Sequence, residues 1–168
     1  MLGPISGAHF NPAVSLVQAA RRQLSPADAG AYVLVQMAGC WVGAMLAHAM
    51  FEMPLLQAST HVRAGPAQWL SEVVATAGLL LVVLSSANSA VASWRVAAWI
   101  GAAYWFTAST SFANPAITVA RALSDTFAGI RPSDAPAFVM AQLVGATLGL
   151  YLERILFSGN PRSSEPAG

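Results

Sequence analysis

The apolar positions of this 168-residue chain gather in long blocks with almost no charge, divided by short polar breaks. A bilayer core about 30 Å thick is crossed by about 20 apolar residues in a helix, so each block of that length is a candidate span. The first, Ala29 to Phe51, carries no charge over 23 positions. Pro54, His61, Arg63 and Gly65 mark a loop from Glu52 to Pro66. A second span covers Gln68 to Ser86 with Glu72 as its one charge, and Ser85 to Ser89 reads as a connection. A third starts after Arg95, over Val96 to Thr110, and a fourth covers Ala135 to Leu152. The pattern predicts an all-α membrane domain over 1–157 with four full spans, and a polar, disordered tail over 158–168.

Two further apolar segments are too short to cross. Pro12 to Ala20 and Pro115 to Leu123 are each nine residues, about 13 Å at 1.5 Å per residue. Asn11-Pro12-Ala13 opens one and Asn114-Pro115-Ala116 the other. Asn caps a helix N-terminus well, and Pro suits the first helical position, where its missing N–H is not needed. The residue before Pro resists the α conformation, so each helix starts there. These are predicted half-helices.

The chain also repeats. Gln36-Met37-Ala38-Gly39 with Gly43 matches Gln142-Leu143-Val144-Gly145 with Gly149, so each half-helix is followed by a span carrying Gln and a face of small residues. Three full crossings separate equivalent points of the two units, an odd number. The units are therefore inverted, and their half-helices enter from opposite faces.

Composition narrows the function. Only 9% of residues are charged, against about 25% in soluble domains, and mean hydropathy is +0.57. Eight Arg and no Lys against seven acids leave a net charge of +1, too little for a nucleic-acid partner. The lone Cys40 excludes a disulfide framework, and Met1 to Phe10 lacks a signal-peptide pattern. Neither a catalytic Ser/His/Asp set, a phosphate loop nor a metal-spaced cluster is legible, so no enzyme, cofactor or metal is expected. Arg21, Arg22, Arg95, Arg154 and Arg162 fall on one side and Arg63, Arg121 and Arg131 on the other. That bias puts the C-terminus in the cytoplasm.

Irregular backbone at membrane depth survives only where protein buries it or water bathes it. Two half-helices entering from opposite faces place both positive N-termini near the midplane, disfavouring cations and protons while admitting neutral solutes. The Asn amides are expected to point inward as donors. Gly7 to Phe10 and Ser109 to Ala113 are expected to present backbone carbonyls as acceptors.

The segments from Ser6 to Ser15 and from Phe112 to Ala116 resemble the aquaporin and aquaglyceroporin family of major intrinsic proteins. The resemblance covers nearly all of Ile5 to Leu156 and implies an inverted repeat with two re-entrant half-helices. It implies a channel in the membrane lipid of a bacterial inner membrane, a homotetramer when full length. Asn11, Pro12, Ala13, Asn114, Pro115 and Ala116 are its implied pore motifs. The family's filter Arg after the second tripeptide is Ile117 here, and gapless counting puts the other filter positions at Ala102 and Ser111. All three are small or apolar, which implies a wide filter. The run Thr107 to Arg121 resembles bacterial aquaporins associated with arsenic resistance, implying passage of arsenous acid with glycerol and water. The family carries two spans before its first half-helix. This sequence shows neither, so a truncated chain that conducts poorly is expected.

Glu72 is implied to brace the second loop, the alternative being a snorkelled surface carboxylate. His9 is expected to turn its carbonyl to the pore and pack its ring. Arg121, one turn beyond Ile117, either replaces part of the filter charge or pairs with Asp125; the ion pair is preferred. His48 and Glu52, four apart, suggest a metal pair or, preferably, a helix end at the headgroups. Cys40 and the five Trp residues read as packing or interface groups. Two other classes compete: an ion-coupled secondary transporter with inverted repeats, for which only Glu72 is available, and a non-conducting membrane protein.

Overall fold

The computed structural model describes residues 3–86 and 88–157; the expected polar tail over 158–168 lies outside the described residues. Among the described residues seven helical elements follow one another: α1 (Gly3–Ser6), α2 (Pro12–Ala20), α3 (Pro26–Met50), α4 (Pro66–Leu84), α5 (Ser89–Phe106), α6 (Pro115–Arg121) and α7 (Ala135–Phe157). α1 is a single turn within the expected opening loop.

Starts are fixed by local chemistry. Ser25 Oγ accepts the Asp28 N–H ahead of α3, and Asn88 Oδ1 accepts the Val91 N–H ahead of α5. Gly65 turns the chain into α4 at φ +107°, a conformation that disfavours any side chain, and Pro66 follows as the first helical residue.

α3, α4 and α7 are each long and apolar enough to cross a membrane. α5 is not among them. It begins at Ser89 rather than after Arg95, takes Arg95 into its exposed surface, and ends at Phe106 rather than Thr110. α7 runs to Phe157, carrying Glu153 and Arg154 beyond the expected end at Leu152. Glu153 meets Arg21, just past α2, at 3.4 Å.

The core is organised around α4 and α7, which lie against each other along most of their lengths. Gly145 and Gly149 make this possible. A Cβ at Gly145 would lie 2.5 Å from the Val73 carbonyl, and one at Gly149 2.7 Å from that of Ala77. Gly145→Val is therefore expected to force the helices apart at a cost of about 1–3 kcal/mol, read as a lower melting temperature in detergent. The corresponding Gly39 and Gly43 on α3 face open space, and Leu34, Val35, Val42 and Leu46 of that helix are exposed.

α2 seats Ala13, Val14 and Val17 against Leu80 of α4 and Ala146 of α7. A second cluster, Phe112, Ala122, Ile130, Ala135 and Phe138, lies where the loops around α6 meet the start of α7. Ala113 joins Ala75 and Leu79 in a third, with Val96, Trp99 and Ile100 of α5 packed on it. Both short helices are thus buried against long ones.

Candidate functional site

α2 and α6 meet N-terminus to N-terminus. Asn11 and Asn114 are their N-caps, both extended, at φ −153° and −157°. Asn11 Oδ1 accepts the Ala13 N–H at 2.9 Å, and Asn114 Oδ1 accepts the N–H groups of Ala116 at 3.0 Å and Ile117 at 3.4 Å. The amide nitrogens then cross over. Asn11 Nδ2 donates to the Ala113 carbonyl at 2.8 Å, and Asn114 Nδ2 donates to the Phe10 carbonyl at 2.9 Å. Each Asn closes the loop of the other repeat. Each Nδ2 keeps a second N–H beyond this bond.

The preceding loops share a backbone signature. Gly7, Ala8 and Phe10 have φ of +65°, +49° and +48°; Thr110, Ser111 and Ala113 have +61°, +49° and +47°. A non-glycine residue in the left-handed region costs about 1–2 kcal/mol and needs surroundings that impose it. Ala113 has no room for more than a methyl, being fully buried.

Glu72 imposes the second loop. It projects from α4 into the interior, with no solvent exposure. Its Oε1 accepts Ser109 Oγ at 2.6 Å and the Phe112 N–H at 2.9 Å; its Oε2 accepts the Ala113 N–H at 2.8 Å and Gln142 Nε2 at 2.6 Å. The snorkelled alternative for Glu72 is thereby corrected, since a buried carboxylate with four donors has no reason to reach for water. Gln142 Nε2 also bonds Thr118 Oγ1 at 2.7 Å, and its repeat counterpart Gln36 bonds Ser15 Oγ at 3.0 Å. Both glutamines thus tie a long helix to a hydroxyl one turn into a short one.

The first loop is held differently. His9 Nδ1 pairs with Ser15 Oγ at 3.1 Å, its ring lies 5.3 Å from that of Tyr32, and Tyr32 Oη donates to the Ser6 carbonyl at 2.9 Å.

Arg63 is the group that sequence reasoning missed. Although it sits in the loop before α4, it is buried. Its guanidinium donates to the carbonyls of Gly129, Phe127 and Ser109 at 2.7, 2.8 and 2.9 Å, while its N–H reaches Asp134 at 3.0 Å. It therefore clamps the segment leaving α6 to the loop entering it. Nothing in the linear pattern separates Arg63 from the other loop arginines. Asp134, bonded also by Arg131 at 2.8 Å, is held below the usual carboxylate range chiefly by that bond.

These features frame two comparisons with known proteins. Residues 1–103 match the profile of the family described as Major intrinsic protein. The chain is also 54% identical over 158 residues to the Aquaglyceroporin AqpS of Rhizobium meliloti (strain 1021), an alignment covering 93% of this chain and 68% of that protein. The chain belongs to the major intrinsic protein family. It is accordingly an integral membrane protein and a channel for small neutral solutes, not an enzyme.

In this major intrinsic protein the three expected filter residues have unlike surroundings. Ala102 is exposed on α5, Ser111 is buried in the second loop, and Ile117 is half-buried on α6. Ile117 borders a groove of about 320 Å³ between α3 and α6, with Cys40 and Ala44 on its far wall.

Arg121 departs from its preferred reading. No carboxylate among the described residues pairs with it. α6 ends at Arg121, so Asp125 is not one helical turn away. Asp125 instead accepts the N–H and hydroxyl of Thr60 at 2.7 and 2.9 Å, bonds that lower its carboxyl below the usual range. His48, in the last turn of α3, is buried, and its ring nitrogens pair with the Leu55 carbonyl and Ser124 Oγ. Glu52 is exposed, and no cluster of potential metal ligands occurs among the described residues.

Proposed function

We propose that the paired ends of α2 and α6 form the constriction of a passive channel for uncharged hydroxylated solutes, arsenous acid and glycerol among them, with water. The crossed Asn11 and Asn114 bonds support this reading most directly. They bring two positive helix ends together and leave amide N–H groups for a passing oxygen, a site that repels cations and does not trap neutral molecules. α2 and α6 act as re-entrant half-helices entering from opposite faces, and α5 crosses with α3, α4 and α7 to make four spans. The C-terminus lies in the cytoplasm, the setting is a bacterial inner membrane, and the full-length protein is a homotetramer.

Width supports the larger solutes. Ala102, Ser111 and Ile117 together supply one hydroxyl and no cation at the outer filter. The name of the Rhizobium meliloti relative, an aquaglyceroporin, fits the same class of solute.

Flux of glycerol and arsenous acid into liposomes carrying the full-length protein tests the reading. Passive flux, linear in concentration and indifferent to proton or sodium gradients, is expected. Saturation together with dependence on an ion gradient would instead favour a coupled transporter.

A further inference from the structure

The filter position at Ile117 carries no donor, yet a guanidinium lies one turn further along the same helix. Arg121 is held from two sides. Its guanidinium carbon sits 4.2 Å from the centre of the Phe112 ring, and its Nη2 donates to Tyr104 Oη of α5 at 3.1 Å. Phe112 is itself fixed, edge-on to Phe138 at 5.4 Å and beneath the clamped Arg63 at 4.9 Å. Its other terminal nitrogen, Nη1, is shielded and has no partner among the described residues. So are two hydroxyls on the loop that carries this ring, Thr110 Oγ1 and Ser111 Oγ, and Ser111 is more than nine-tenths buried.

We infer that Arg121 is the solute-contacting cation of this channel, acting with Ser111 and Thr110 as a binding station for a neutral solute bearing several hydroxyl groups. The inference rests on the channel reading above and names the residues that select within it. Shielded hydrogen-bonding atoms without partners call for a ligand or water that completes them. The guanidinium offers only donors, whereas each hydroxyl both donates and accepts. Phe112 and Tyr104 fix the guanidinium plane before a solute arrives, which lowers the ordering cost of each encounter. No carboxylate pairs with Arg121 among the described residues, so its charge remains available to meet solute oxygens and to oppose cations.

Arg121→Met, Arg121→Lys and Tyr104→Phe in the full-length protein test this, with glycerol and water permeabilities read by stopped-flow light scattering on matched proteoliposomes. Arg121→Met is expected to lower the ratio of glycerol to water permeability about tenfold, the scale of one good hydrogen bond. Arg121→Lys and Tyr104→Phe keep the charge but lose its fixed geometry, and should lower the ratio by about twofold to fivefold. An Arg121→Met ratio equal to the parent's overturns the inference and leaves Arg121 as a packing residue. The same holds if Arg121→Met merely fails to fold while the other two variants match the parent. A parent that passes glycerol no faster than empty liposomes overturns the channel reading itself, and this inference with it.

Discussion

Glu72→Leu is expected to abolish recovery of folded protein, and Glu72→Gln to give a folded but weakened one. The carboxylate takes four hydrogen bonds inside the protein, from the Ser109 hydroxyl, two loop N–H groups and Gln142. Leucine fills much of the same volume and accepts none of them. Each buried donor left unpaired costs about 1–3 kcal/mol, so four together approach the whole stability of an ordinary domain. The left-handed residue Ala113 would also lose the bond that holds it there. Glutamine keeps the shape and one oxygen, but turns its NH2 toward two donors, for an expected loss of about 2–4 kcal/mol. Thermal unfolding in detergent measures the difference, and a Glu72→Gln melting curve equal to the parent's would mean that the loop is held by something else.

Ile117→Arg is expected to lower glycerol and arsenous acid flux at least about tenfold in the full-length protein while leaving water flux largely intact. Arginine adds five donors and a bulky planar group in place of an apolar side chain. Water needs only a narrow, hydrogen-bonding passage, whereas the larger solutes need width. Stopped-flow measurements for each solute on matched proteoliposomes decide it. Equal losses for water and glycerol would indicate damaged folding. Unchanged glycerol flux would remove Ile117 from the filter.

The two short helices were legible because their starts are governed by neighbouring residues. Asn before Pro fixes both the cap and the first helical position, and α2 and α6 begin at Pro12 and Pro115. The ends of elements were less legible. α6 stops at Arg121, two residues before the expected Leu123, since the following chain turns toward Gly129 and Ile130 through long-range bonds such as Ile130 N–H to the Arg121 carbonyl. That early stop also removes the helical spacing on which an Arg121–Asp125 pair depended. α5 was misjudged at its start because Arg95 reads as the edge of a span, yet its side chain stands exposed on the helix. The site divides in the same way. Asn11 and Asn114 announce themselves through a repeated tripeptide. Arg63 and Tyr104 do not, because their partners, Ser109, Phe127, Gly129 and Arg121, lie 17 to 66 residues away.

The crossed asparagine bonds have a consequence in time. They join residues 102 and 104 positions apart, among the longest sequence separations in the molecule. A chain emerging from the ribosome exposes Asn11 and the Phe10 carbonyl long before Ala113 and Asn114 have been synthesised. Contacts of such separation form late, after the local helices that carry them. Until then α2 has its own cap but no latch, and its strained approach loop awaits a partner 102 residues further along the chain. The centre of the molecule thus closes only after α6 has been made, and an interruption anywhere between α3 and α6 leaves the first half open.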